Sequence, residues 1–154
     1  MESEDQFIEE MGMYFESHGV PRMGGRMLAW LLICDPPEQT MQEIGARLRA
    51  SKGSVSTMAR LLMHFDLLQR ISKPGQRADL YRVAPDFGER LLVASVVKIG
   101  EFRKLCDGGL AALEGESPAR RRRLEEVRDV NLFLEERYSA LLAEWRKERV
   151  EVHL

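Results

Sequence analysis

A mainly α fold of the α+β kind is predicted by three observations. Apolar residues recur at helical spacing along most of the 154 residues. The period switches to alternation only at Leu67–Ser72 and Leu80–Val83, which flank a Pro-Gly loop. Before that hairpin stand a short helix, a tight break and a second helix. This order is a winged helix-turn-helix with a two-stranded β-hairpin wing, framed by N- and C-terminal helices. The domain organisation follows: residues 1–39 supply N-terminal helices for core support and dimerisation, 40–84 the winged helix-turn-helix, and 85–154 long dimerisation helices.

The first helix runs from Glu4 to His18, with Phe7, Ile8, Met11, Tyr14 and Phe15 on one face and acids opposite. Gly19 suits the position just past its end, and Pro21 the start of the next element. Met23–Cys34 is apolar nearly all round in its second half, which predicts a helix buried on several sides. Asp35-Pro36-Pro37 ends it. Thr40 and Glu43 form a capping box for a helix through Leu48, with Met41, Ile44 and Leu48 inward and Gly45 and Ala46 small enough for close packing. Arg49-Ala50 is the break. Ser51 caps the next helix, through about Phe65, with Val55, Met58, Ala59, Leu62 and Phe65 as its inward stripe.

After the hairpin, Pro85 opens a helix to about Leu113, with Phe87, Leu91, Ala94, Val97 and Phe102 as inward positions. Gly115 breaks it, and Ser117-Pro118 starts the last helix. There Leu124, Val127, Asn131, Leu134, Tyr138, Leu141 and Trp145 are spaced 3-4-3-4-3-4, a heptad seam with one polar member. Such a seam predicts self-association. Together with Phe7 and Met11 of the first helix it forms the expected homodimer surface.

Composition excludes several classes. The chain carries a formal net charge of −2, is 44% apolar and 31% charged, and so reads as an ordinary globular protein. The longest apolar run, Met27–Cys34, is too short to span a membrane, and the acidic N-terminus lacks a secretory core; a cytoplasmic protein is expected. Cys34 and Cys106 form no Cys-x-x-Cys pair, which argues against a disulfide scaffold or zinc site and for buried, inert thiols. His18, His64 and His153 lie far apart, and no phosphate-binding loop or nucleophile elbow is present. No catalytic residue, metal or cofactor is therefore assigned, and an enzyme is not expected.

Charge is distributed unevenly. Residues 1–39 hold 2 basic and 8 acidic side chains, whereas 40–84 hold 8 basic and 3 acidic. A basic middle segment points to a polyanion. The start of a recognition helix needs small or hydrogen-bonding residues so that it can approach a duplex. Ser51, Lys52, Gly53, Ser54, Ser56 and Thr57 meet that need, and Arg60 follows one turn on. Lys52, Ser56 and Arg60 share a face away from the apolar stripe. In the hairpin loop, Lys73, Gln76 and Arg77 are placed for phosphate or minor-groove contact, with Asp79 near enough in sequence to orient Arg77. These ten residues are the candidate double-stranded DNA contacts. Arg120–Arg123 reads instead as a solvated run partly paired with Glu125 and Glu126. Met11, Tyr14, Phe15 and Trp30 are candidates to line an aromatic ligand pocket.

The stretch DPPEQTMQEIGARLRASKGSVSTMARLLMHFDLLQRISKPGQRADLYRV resembles the winged helix-turn-helix of MarR-type regulators. Its lead-in GVPRMGGRMLAWLLICDPPE and its helix ASKGSVSTMARLL are most similar to the GbsR-like branch. The likeness covers residues 19–84, and the flanking helices by layout. It implies a homodimeric bacterial transcriptional regulator, often a repressor, acting on a pseudo-palindromic operator. In some members a small-molecule effector bound between the two regions releases the DNA. Arg77 and Asp79 stand where the family has a wing-tip Asp-x-Arg, in reversed order. The competing reading is a winged-helix protein-interaction module that touches no nucleic acid.

Overall fold

A computed structural model describes residues 3–75 and 77–152, with side chains described as far as Arg149. The elements are α1 (Glu4–Ser17), α2 (Arg22–Ile33), β1 (Gln39–Thr40), α3 (Met41–Leu48), α4 (Lys52–His64), β2 (Leu68–Ile71), β3 (Leu80–Val83), α5 (Phe87–Ala112) and α6 (Pro118–Val152). They form two compact units, residues 1–87 and 88–154.

In the first unit the local signals act as expected. The Ser3 hydroxyl oxygen accepts from Gln6 N–H to cap α1, and Gly19 takes φ +85° just beyond its end. The α1 and α2 backbones meet at Gly25, where an added Cβ would lie 2.8 Å from Phe15 Cβ and 2.9 Å from the Met11 carbonyl oxygen. Ile8 and Phe15 of α1, Met27, Leu28 and Leu31 of α2, Ile44 and Leu48 of α3, and Val55, Ala59 and Leu62 of α4 form the core. Two expected inward residues are instead exposed. Tyr14 turns out against His18, and Phe65 lies beyond α4 with its ring against His64. Each sits at the margin of its apolar stripe, where the core is already closed by a neighbour.

The sheet has three strands in the order β1-β3-β2, all antiparallel, rather than the two expected. Gln39 pairs with Tyr81 and Thr40 with Leu80, so the segment entering α3 covers the outer edge of β3. In the hairpin, Arg70 stands opposite Tyr81 and Gln69 opposite Arg82.

In the second unit α5 and α6 run antiparallel. Glu89 meets Arg146 (2.7 Å), Arg103 meets Glu135 (2.5 Å), and Asp107 faces Arg128 (3.9 Å). Gly100, Cys106 and Leu110 are the buried positions of α5. The inward set expected there is corrected in part: Ala94, Val97 and Phe102 are exposed, because the buried face of Gly100, Cys106 and Leu110 lies about half a turn away. Helix α5 is apolar on several sides, so its pattern does not single out one face. Along α6, Leu124, Asn131, Leu134 and Tyr138 are half-buried, whereas Val127, Leu141 and Trp145 are exposed. Asn131 Nδ2 donates to the Val127 carbonyl (2.8 Å), so one of its amide N–H groups is used within its own helix. The arginine run is partly paired as expected, Arg121 with Glu125 and Arg122 with Glu126, and Arg120 in addition meets Glu116.

Candidate nucleic-acid interface

The recognition helix is aimed by the turn before it. Arg49 adopts the left-handed conformation (φ 51°), and Ala50 N–H closes on the Gly45 carbonyl at 2.9 Å. A Cβ on Gly45 would lie 3.2 Å from the Ala50 oxygen, so a small residue suits this reversal. The chain thus reaches Ser51 in an extended conformation, and Ser51 Oγ accepts from Ser54 N–H at 3.2 Å.

From there the side chains sort by face. Val55, Ala59 and Leu62 are buried; Ser51, Lys52, Gly53, Thr57 and Arg60 are exposed; Ser54 and Ser56 are half-buried at the boundary. A Cβ on Gly53 would meet nothing within 4 Å. Arg60 Nη2 reaches Thr57 Oγ1 at 3.4 Å, so the guanidinium lies back along the helix toward its N-terminus. These residues make one continuous polar surface on the first two turns of α4.

The wing stands on the same unit. Lys73 and Arg77 are exposed on its loop, and Gly75 supplies the positive φ (+83°) of the turn. Gln76 lies outside the described residues, as does His153. Asp79 does not orient Arg77 as expected. It is held by Ser72 Oγ (2.5 Å) and faces Arg70 Nη1 at 3.6 Å. An open groove of about 880 Å³ joins the two parts, lined by Gln42, Ala46, Arg49 and Lys52 on one side and Ala78 and Asp79 on the other.

Three arginines near this surface were given no role by the sequence reading: Arg49 in the turn, and Arg70 and Arg82 on the wing strands. Their only signal was the excess of basic residues in 40–84. Arg47, by contrast, is drawn into the fold. It pairs with Glu4 (3.3 Å) and Asp5 (2.6 Å) and lies 4.9 Å over the Trp30 ring. The acids of α1 thus anchor helix α3. The Glu43 carboxyl is held below the usual carboxylate range, first by Thr40 N–H and then by the Thr40 hydroxyl.

The aromatic candidates have separate surroundings. Phe15 is buried, Tyr14 is exposed beside His18, Met11 is half-buried, and the Trp30 ring is covered by Arg47. Both cysteines are buried, and burial pushes the Cys34 thiol up from its ordinary range. Among the described residues no three His, Cys, Asp or Glu side chains are placed to share a metal ion, and no helix is long and apolar enough to cross a membrane.

Comparison with known proteins agrees with this geometry. The profile of the MmpR5-like MarR family of transcriptional regulators matches residues 86–148, the helical segment beyond the wing. The HTH-type transcriptional regulator MmpR5 of Mycobacterium tuberculosis (strain ATCC 25618 / H37Rv) is 41% identical over 133 residues, spanning 84% of this chain and 79% of that protein. The crystal structure of a transcriptional regulator superposes with a TM-score of 0.79 at 37% identity, covering 94% of this chain and 98% of that one. The chain belongs to the MmpR5-like MarR family of transcriptional regulators, and its helix-turn-helix and wing are those of a DNA-binding regulator.

Proposed function

We propose that the protein is a repressor that binds a pseudo-palindromic operator as a homodimer. Ser51, Lys52, Gly53, Ser54, Ser56, Thr57 and Arg60 enter the major groove, and Lys73, Gln76 and Arg77 meet flanking phosphate or the minor groove. Arg49 adds a phosphate contact from the turn. The observation that carries this reading is the polar, unobstructed N-terminal surface of α4, on the same compact unit as the exposed wing cations Lys73 and Arg77. A twofold particle would set its two recognition helices about 34 Å apart along the duplex.

Dimerisation uses α6 together with Phe7 and Met11 of α1. The support is apolar surface left in water: Leu141 is 53% and Trp145 50% exposed on the outer side of the heptad seam. Light scattering is expected to give twice the chain mass, and Leu141→Arg with Trp145→Arg to give the single chain.

Release by a small ligand is the further part of this reading, as the MarR-type resemblance implies for some members, with Met11, Tyr14, Phe15 and Trp30 as the first residues to vary. Selection of genomic fragments by the purified protein, followed by sequencing, tests the whole reading. An enriched inverted repeat supports it. Absence of any duplex binding at low salt overturns it in favour of a protein-interaction module.

A further inference from the structure

The first cation of the wing loop, Lys73, already has a partner within the fold. Lys73 Nζ is ion-paired with Glu38, whose other oxygen faces Arg82 Nη1 at 3.7 Å. Glu38 stands immediately before β1, the strand that covers the edge of β3, so the third strand delivers a carboxylate to the base of the wing. Its side chain is 20% exposed and that of Lys73 48%, so the pair is partly shielded from water and salt. Arg82 has a second anchor, since its Nε and Nη2 donate to Gln69 Oε1 at 3.1 and 3.0 Å. Loss of the Glu38 charge would leave Arg82 on Gln69 and set Lys73 loose. The pair borders a cavity of about 550 Å³, also lined by Pro37, Arg77 and Leu80, which gives the loosened side chain room to swing.

We infer that Glu38 is an affinity-limiting latch on the wing, an internal carboxylate that competes with DNA phosphate for Lys73. It is a positioning residue and touches no DNA. The inference rests on the reading that the wing meets the DNA backbone. A carboxylate and a phosphodiester each offer anionic oxygens to the same ammonium, so the Glu38 carboxylate competes with phosphate for Lys73 and holds its side chain back on the fold. The wing therefore delivers fewer phosphate contacts than its count of Lys and Arg.

The test is fluorescence anisotropy of the full chain on a labelled random-sequence duplex, from about 50 to about 200 mM salt. Glu38→Gln is expected to bind roughly two- to fivefold tighter than wild type, the scale of one partly exposed ion pair. Its log–log salt slope is expected to steepen by about 0.9, one further phosphate. Adding Lys73→Ala to Glu38→Gln is expected to remove the gain, and an unchanged melting temperature shows that the fold is intact. A gain that persists without Lys73 is a general charge effect and overturns the latch. Unchanged or weaker binding by Glu38→Gln, with an unaltered slope, overturns the latch and leaves DNA binding standing. A wild-type chain that binds no duplex overturns both.

Discussion

Gly53→Ala separates folding from DNA approach, because the two effects have opposite signs. Gly53 lies in the first turn of α4, where glycine costs about 0.5–1 kcal/mol against alanine. The added Cβ would find no atom within 4 Å, so no clash offsets that gain. The variant is expected to melt about 1–4 °C higher, given roughly 2–4 °C per kcal/mol for a chain of this size. On DNA the new methyl group would stand on the surface that faces the groove. Crowding of one methyl into a close interface costs about 1–3 kcal/mol, roughly five- to 150-fold in Kd. Calorimetry and anisotropy on the selected operator read the two quantities from one preparation. Gly25→Ala is the contrasting variant. Its Cβ would lie 2.8 Å from Phe15 Cβ, 2.9 Å from the Met11 oxygen and 3.0 Å from Gly12 Cα, so the same substitution is expected to lower stability by about 1–3 kcal/mol. Unchanged affinity in Gly53→Ala, with its melting point raised, would refute the close approach of α4 to the duplex.

Arg60→Ala is expected to cost about 1–3 kcal/mol on the operator and to relax preference at one base pair, whereas Arg77→Ala is expected to weaken all duplexes alike and flatten the salt slope by about 0.9; equal loss on every sequence for Arg60 would make it a backbone contact. Thr40→Ala removes the oxygen that accepts from Glu43 N–H (3.2 Å) and is expected to cost about 1 kcal/mol by thermal unfolding. Because the folded Glu43 carboxyl lies below its ordinary value of 4.5, its contribution is complete above that pH and is lost as pH falls through the depressed folded value. The stability gap between wild type and Glu43→Gln is therefore expected to narrow in acid, and a pH-independent gap would count against the capping-box account. Cys34, buried and with its thiol pushed up, is expected to react with a thiol reagent only when the chain is unfolded; rapid labelling of the native protein at neutral pH would contradict this.

The order of elements, the caps and the outward face of α4 could be read from the residues alone. Each rests on interactions that span a few positions: Ser51 caps Ser54, Thr40 and Glu43 cap each other, and the outward residues of α4 follow from the burial of Val55, Ala59 and Leu62. Local hydrogen bonds and helical period are written into neighbouring letters. The third strand was not legible, since two residues of β1 carry no period and are made a strand only by the exposed edge of β3. The contact face of α5 was misassigned because apolar residues occur on several of its sides, and the choice belongs to the glycines and ion pairs that let α6 approach. The partners of charges that pair between distant segments were settled by tertiary structure alone. Arg47 joins acids more than forty positions away on α1, and Lys73 joins Glu38 across 35 positions, because ion pairs between distant segments depend on where the backbone brings them and leave no spacing in the chain.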